Sequence, residues 1–159
     1  MNRMRNEEEK KGKSMKKYLS IITGCLILSL SQPGIARDDI GDYPIDSVLQ
    51  SEKAKHKLGN MKFYFGSQGH GKVNKRFGVY STNKKTNAFN KSDQQACEHV
   101  FLSAMIQLKQ RAEKLGGNAV INIKSNYKGN LTSSNTTFKC GAGQMVAGVA
   151  LQGEIVRLQ

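Results

Sequence analysis

The pattern of apolar and polar positions is most regular between residues 92 and 117, where it predicts one long helix. Ser92 begins the sequence Ser-Asp-Gln-Gln, a capping box in which Gln95 takes the third helical position. Apolar residues then recur at spacings of three and four, which indicates an amphipathic helix over about 93–115. Gly116 follows the last apolar position, as is typical of a helix end. The apolar stripe consists of Ala96, Cys97, Val100, Phe101, Ala104, Leu108, Ala112 and Leu115.

Shorter segments with strand-like composition lie on both sides of this helix. Residues 37–44 are acidic and are expected to be loose, and residues 81–91 have the composition of a polar linker. The expected fold class is therefore α+β, with the one long amphipathic helix packed on a small, mostly antiparallel sheet and one disulfide. The predicted strands are 61–65, 73–80, 119–123, 136–140 and one or two within 144–158.

The stretch before residue 37 has the order of a secretory signal. A basic segment begins at Met15, a mostly apolar segment covers residues 18–30, and small residues lead to a cleavage point after Ala36. The apolar segment is shorter than the roughly 20 residues that a membrane span requires. Lipid attachment at Cys25 is disfavoured, because the apolar run follows that cysteine instead of preceding it. We therefore expect export to the periplasm or beyond the cell, with no membrane span in the mature chain.

Three parts of the chain follow from this interpretation. Residues 1–36 are an N-terminal extension and cleavable signal peptide, in which either Met1 or Met15 is the true start. Residues 37–60 are a flexible or short-helical lead-in, and residues 61–159 are the α+β domain.

Cleavage after Ala36 leaves two cysteines, Cys97 in the predicted helix and Cys140 in a late strand. Exported proteins meet an oxidising environment, so two remaining cysteines favour a disulfide. The predicted bridge joins Cys97 to Cys140.

Positive charge is concentrated in one part of the chain. Residues 37–159 contain 18 Lys and Arg against 9 Asp and Glu, and residues 53–91 hold ten basic residues and no acidic one. A block of one sign favours an anionic partner, which in an envelope means lipid phosphates, polysaccharide or nucleic acid. The alternative is a solvated surface that maintains solubility. The predicted anion-binding residues are Lys62, Lys72, Lys75, Arg76, Lys84 and Lys85.

Nucleic acid is a weaker alternative partner. Aromatic residues alternate with basic ones in the predicted ribbon, and such side chains can stack single-stranded bases. The same residues can equally form the core of a two-stranded ribbon. The interleaved aromatics are Phe63, Tyr64, Phe65, Phe77 and Tyr80.

Patterns that suggest catalysis are incomplete in this sequence. The segment from Gly66 to Val73 approaches a phosphate-binding loop, but Val73 stands where a hydroxyl should hold magnesium and a strand is expected to follow. Cys97 and His99 are two residues apart, and on a helix they face different directions, which is unsuited to one metal ion. We therefore expect no catalytic residue, no metal and no cofactor.

Two resemblances rest on the second half of the chain. The sequence Leu-Gly-Gly-Asn-Ala-Val at 115–120, with Cys97 before it and Cys140 after it, resembles a small family of exported bacterial proteins that often carry the label "excinuclease ATPase subunit". This resemblance covers about residues 43–156 and implies an uncharacterised function. The label conflicts with the absence of nucleotide loops and zinc modules. Residues 93–151 are also similar to the C-terminal domain of the lipoprotein sensor of the Rcs envelope-stress pathway, where a disulfide joins a helix to a later strand.

The sequence thus predicts an exported, non-enzymatic envelope protein that binds an anionic component or a protein partner through a basic face. An envelope-stress sensor module is the first alternative. A nucleic-acid-binding module and a secreted factor are the others.

Overall fold

The structure is a computed structural model and describes residues 38–159. Seven strands and three helices follow one another along this part of the chain. They are β1 (Asp38–Pro44), α1 (Ile45–Leu49), α2 (Glu52–Leu58), β2 (Lys62–Phe65), β3 (Val73–Asn87), α3 (Asp93–Leu115), β4 (Ala119–Tyr127), β5 (Asn130–Thr132), β6 (Thr137–Gly143) and β7 (Val146–Leu158).

The long helix α3 forms as its sequence predicts. The Ser92 hydroxyl accepts a hydrogen bond from the Gln95 backbone N–H, and the Gln95 side chain accepts one from the Ser92 N–H. These reciprocal bonds satisfy two donors that a helix N-terminus otherwise leaves open. Gly116 ends the helix at φ 79°, a left-handed conformation that glycine adopts without the penalty of a Cβ atom.

The sheet is larger than expected, and the predicted fold class is wrong. Strands occupy 47% of the described structure and helices 29%, so the molecule is mostly sheet. All seven strands belong to one curled, mixed sheet in which β1, β6, β7, β4 and β2 are neighbours in that order. β3 pairs with β7, β5 pairs with β4, and β2 runs parallel to β4. A parallel pair requires a long connection, which here contains β3 and α3.

Two polar segments account for much of the extra sheet. Residues 38–44, expected to be loose, form β1 and pair with β6 over seven positions. Residues 81–87, expected to be linker, continue β3 along β7 to the pair Asn87 and Val146. Both segments are held in the sheet by backbone hydrogen bonds to a neighbouring strand. Their side chains therefore do not have to alternate between apolar and polar. The expected lead-in is thus ordered from residue 38, with α1 and α2 following β1.

The main core lies between α3 and one face of the sheet. An aromatic column crosses it: Phe101 of α3 stacks on Phe138 of β6 at 4.0 Å between ring centroids, with Tyr43 and Phe65 at its two ends. α1 and α2 add buried apolar side chains to the same core, including Val48. The column joins β1, β6, α3 and β2, so it holds the ends of the sheet to the helix.

A second, smaller cluster lies on the opposite face of the sheet. Ala119 and Ile121 of β4 meet Val156 and Leu158 of β7, and Tyr64 and Val73 cover them. One residue of β2 and the first residue of β3 thus complete this cluster.

Within residues 38–159, no helix combines the length and the apolar character needed to cross a membrane.

Candidate binding site at the edge of strand β3

β3 is an edge strand of unusual length. It spans 15 residues and, within the described chain, pairs with β7 alone. Its register with β7 shifts near Lys75 and Gly78, then continues without interruption from Val79 to Asn87. A long edge leaves a row of backbone N–H and C=O groups unpaired, which makes it a template for another strand.

The direction of these backbone groups follows from one bond. The Ala88 N–H donates to the Met145 carbonyl at 2.9 Å, in register with the ladder between β3 and β7. Antiparallel residues alternate between groups that point to the partner and groups that point away. In this segment, the backbone N–H and C=O groups of even-numbered residues therefore bond to β7, and those of odd-numbered residues point away from it. The Asn87 carbonyl is consistent with this alternation, because it accepts a hydrogen bond from Lys91 Nζ and not from β7. Among the described residues, the outward backbone groups of Val79, Ser81, Asn83 and Lys85 have no backbone partner.

A groove of about 660 Å³ runs between β3 and the C-terminal half of α3. Tyr80, Ser81 and Thr82 form its strand wall, and Gln107 and Arg111 stand on its helix wall. We call it the helix–strand groove.

Two buried polar atoms in this groove lack hydrogen-bond partners among the described residues. They are Thr82 Oγ1 and Gln107 Oε1, and the Thr82 residue is only 5% exposed. A buried polar group without a partner costs about 1–3 kcal/mol, so native proteins keep few of them. Both residues line the helix–strand groove.

The helix wall of the groove adds positive charge. The Arg111 guanidinium lies 4.6 Å from the centroid of the Tyr80 ring, a cation–π contact that holds it over the strand. Lys114 lines the same groove, and Glu113 is paired with Lys109 at 3.4 Å. A negatively charged group is therefore favoured here.

The structure does not gather the six predicted anion-binding residues into one compact face. Lys62 begins β2, which is separated from β3 by β4 and β7. Lys72 directly precedes β3, and the remaining four lie on β3 itself. At about 3.3 Å per residue, Lys75 and Lys84 are roughly 30 Å apart along the strand. The four strand residues Lys75, Arg76, Lys84 and Lys85 form an extended row.

Arg76 has a structural partner within the sheet. Its Nη1 atom lies 2.6 Å from Glu154 Oε2, and the Glu154 side chain is only 16% exposed. Reversing the charge of Arg76 would leave that carboxylate beside another carboxylate. Arg76 is therefore a poor probe of ligand binding, whereas the exposed side chains of Lys72, Lys75 and Lys85 are better ones.

The aromatic residues considered for base stacking pack within the protein. Phe65 is buried in the main core, and Phe63, Phe77 and Tyr80 pack against the same core. Tyr64 covers the smaller cluster. Sheet aromatics that stack bases must present their faces to solvent, so this arrangement disfavours that use.

The glycine-rich loop before β3 leads into a strand. Gly66 has φ +55°, and the Asn135 side chain occupies the space that a Cβ would need. Asn135 Oδ1 accepts a bond from the Ser67 N–H, which holds the loop to the segment before β6. Val73 then starts β3 and packs on the smaller cluster. Helix N-termini provide the phosphate cradle of nucleotide loops, and this loop has none behind it.

Cys97 and Cys140 form the predicted disulfide between the first turns of α3 and the middle of β6. Both cysteines are fully buried. Partial burial, followed by the charges of Lys53 and Lys91, lowers the pKa of His99 below its ordinary value. Within residues 38–159, no group of three or more His, Cys, Asp or Glu residues is arranged to hold a metal ion.

A second groove, of about 550 Å³, lies on the face of the sheet opposite α3. Its floor contains Gly141, Gly148 and Ala150, and Lys85 and Tyr127 stand at its walls. Lys85 thus borders this groove while its backbone belongs to the open edge.

Sequence reasoning missed the helix-side residues of the candidate site. Gln107 and Arg111 lie on the polar side of a predicted helix, where side chains usually face solvent. Thr82 falls in a segment with linker composition. These residues come together because β3 extends to Asn87, and the local sequence of residues 81–87 does not predict a strand.

No protein-family model matches this sequence, and no curated protein does. Among solved structures, the chain is similar to a protein of unknown function of the DUF74 family from Pediococcus pentosaceus. The two share 16% identity, with a TM-score of 0.42 over 62% of this chain and 98% of that one. A likeness this distant shows nothing about activity.

Proposed function

We propose that this chain is an exported, non-enzymatic binding protein of the bacterial envelope that engages an extended anionic partner along β3. The observation that carries the proposal is the row of Lys75, Arg76, Lys84 and Lys85 on a strand without any acidic residue. The row is about 30 Å long, which suits a chain-like anion better than a single small ion.

Charges near the row strengthen the proposal. Arg111 and Lys114 of α3 line the helix–strand groove beside it. Two acidic side chains of this region are already paired: Glu154 with Arg76, and Glu113, which also lines the groove, with Lys109. The positive potential along the edge is therefore only partly balanced, and a polyanion would be attracted over a Debye length of about 8 Å at physiological salt.

The disulfide supports the exported location. Bridges such as Cys97–Cys140 persist in oxidising compartments and are rare in the cytosol. The predicted cleavage site after Ala36 lies outside the described residues. Mass spectrometry of the protein from an envelope fraction should give Arg37 as the N-terminal residue, and a lipid-modified Cys25 would contradict this.

Charge reversal tests the binding surface. The triple variant Lys72→Glu, Lys75→Glu and Lys85→Glu should elute from heparin at much lower salt than the parent. It should also bind vesicles rich in phosphatidylglycerol less, because a lysine that pairs with a phosphate contributes to the salt-dependent part of binding and a glutamate does not.

A second triple variant distinguishes the effect of charge at β3 from the effect of the protein's net charge on binding. Reversing Lys53, Lys55 and Lys57 on α2 changes the net charge by the same amount at another place. We expect this control to retain more binding than the β3 variant. An equal decrease of binding in the two variants would show attraction by net charge alone and would contradict a site on β3.

The stress-sensor alternative differs in its cellular consequence. Deletion of the protein would change the output of envelope-stress genes if it were a sensor, whereas loss of a binding protein would change the amount of its retained partner.

A further inference from the structure

We propose that the open edge of β3 accepts an acidic, extended peptide segment as an additional antiparallel or parallel strand. This inference rests on the proposed function and narrows its partner to a protein segment rather than a lipid or polysaccharide. The juxtaposition that supports it is an open backbone edge beside a groove that holds two unpartnered polar atoms and a cation.

The outer edge of β3 offers backbone hydrogen-bonding groups to a partner strand. Val79, Ser81, Asn83 and Lys85 direct their N–H and C=O groups away from β7, in a stretch without register shifts. The Lys91 side chain caps the outward carbonyl of Asn87 and marks one end of the open stretch. The added strand is therefore about seven or eight residues long. In this mode of recognition the main chain supplies affinity and side-chain pockets supply specificity.

The helix–strand groove lies where alternate side chains of an added strand would point. A strand added beside β3 places alternate side chains toward α3, because successive side chains point to opposite faces. Thr82 Oγ1 and Gln107 Oε1 would then meet a polar group, and Arg111 offers its charge to a carboxylate. The Thr82 hydroxyl and the Arg111 guanidinium can donate to a carboxylate, whereas Gln107 Oε1 accepts and needs an amide N–H. The groove therefore favours an acidic or amide residue at one central position of the peptide.

The positive charge of β3 determines which kind of peptide strand can pair with its open edge. β3 carries Lys75, Arg76, Lys84 and Lys85 and no acidic residue. Pairing of two β3 copies would bring like charges together, which destabilises cross-strand neighbours, and edge lysines commonly prevent such self-pairing. A strand with glutamate side chains has the opposite charge and avoids this repulsion.

The first experiment uses a capped eight-residue peptide in which glutamate alternates with valine, together with the same peptide containing lysine in place of glutamate. The mature chain, residues 37–159, should bind the glutamate peptide and not the lysine peptide. Two further versions of the glutamate peptide are then made, one N-methylated at its odd-numbered residues and the other at its even-numbered residues. Only one set directs its N–H groups to β3, so one version should bind about tenfold more weakly and the other should bind nearly as well as the parent peptide.

The second experiment changes the protein. Asn83→Pro removes an N–H that points away from β7, which an edge strand tolerates. It should abolish binding of the glutamate peptide, whereas the control Asn83→Ser keeps the N–H and should retain binding. If Asn83→Pro does not fold, the N-methylated peptides decide the question without altering the protein.

A third variant separates a role in ligand binding from a structural role. Thr82→Val keeps the shape of the side chain and removes a buried, unpartnered hydroxyl, so the melting temperature should rise. The same change should weaken the glutamate peptide by about two- to tenfold. A change of stability without a change of affinity would overturn the assignment of the groove to the peptide.

The outcomes distinguish this inference from the proposed function. Equal binding of the two N-methylated peptides would show attraction by charge alone and overturn strand addition. Heparin or vesicle binding that depends on Lys72, Lys75 and Lys85, together with no binding of the glutamate peptide, would overturn the peptide partner and leave the proposed function standing. A dimer that Asn83→Pro dissociates would assign the edge to a second copy of the chain and overturn the acidic partner.

Discussion

The Tyr127 hydroxyl group occupies the space beside the Cα of Gly141 where any other residue would place its Cβ atom. Gly141 is on β6 and Tyr127 ends β4, so this contact closes one side of the groove opposite α3. The glycine is required here for the close approach of a side chain, since its backbone makes no use of a positive φ.

We expect Gly141→Ala to lower the free energy of unfolding by about 1–3 kcal/mol, the usual cost of overpacking. Gly148→Ala is the control, because a methyl group there would meet its neighbours at ordinary distances of 3.6–3.7 Å. Urea denaturation of both variants and of each in a Tyr127→Ala background measures the coupling. An undiminished cost of Gly141→Ala without the ring would contradict the steric explanation.

The disulfide is expected to hold the pair of strands β1 and β6 to the rest of the fold. β6 pairs with β7 at only two positions, Gly141 with Gly148 and Ala142 with Ala147. The bridge closes a separation of 43 residues, which contributes about 4 kcal/mol in the chain-entropy model. Replacing Cys97 and Cys140 with alanine should lower the melting temperature by about 10 °C or more.

Hydrogen exchange provides the local measurement for this disulfide. Reduction should increase exchange in β1 and β6 before it does so in β3 and β7. A uniform decrease of protection across the sheet would mean that the bridge stabilises the whole fold without preference for β1 and β6.

The lowered pKa of His99 predicts a pH dependence. Partial burial is the main cause, with the charges of Lys53 and Lys91 next, so the folded protein binds the proton less readily than the unfolded chain. Stability should therefore decrease as the pH falls from about 6.5, the ordinary histidine value, through the lower pKa of folded His99. His99→Gln should remove this component of the dependence.

NMR titration of the His99 ring tests the cause directly. Lys53→Gln should raise the His99 pKa, because it removes one of the two repelling charges. Lys57→Gln on the same helix should leave the titration unchanged. Identical midpoints in the parent and Lys53→Gln would assign the shift to burial and Lys91 alone.

The left-handed conformation at the end of α3 predicts a specific glycine requirement. Gly116 has φ +79°, and Arg157 donates two bonds to its carbonyl, at 2.6 and 2.9 Å. Gly116→Ala should destabilise the protein by about 1–2 kcal/mol, the cost of this conformation for a residue with a Cβ. Gly69→Ala is the control, since open space surrounds that position. Thermal unfolding that shifts equally in both variants would contradict the conformational argument.

The sequence predicts α3 well because its signals are local. The capping box at Ser92, the apolar stripe and Gly116 all act within the helix itself, and the observed bounds are Asp93–Leu115. The bridge from Cys97 to Cys140 is predictable as well, since these are the only two cysteines after residue 36.

The sheet could not be predicted from the same kind of signal. β1 and the second half of β3 are polar, and their ladders with β6 and β7 join residues far apart in sequence. The parallel pair of β2 and β4 also depends on contacts across the whole of β3 and α3. For this reason charge alone predicts the basic residues, whereas the groove formed by Thr82, Gln107 and Arg111 emerges only with the tertiary structure.

β7 is the strand on which the sheet depends, because it pairs with β3, β4 and β6. The ribosome makes β7 after those three strands, so a partly synthesised chain has six strands and lacks their common neighbour. Long-range strand pairing of this kind is slow, and it cannot be completed on a growing chain before residues 146–158 have emerged. The late position of β7 therefore delays completion of the sheet until synthesis of the chain is almost finished.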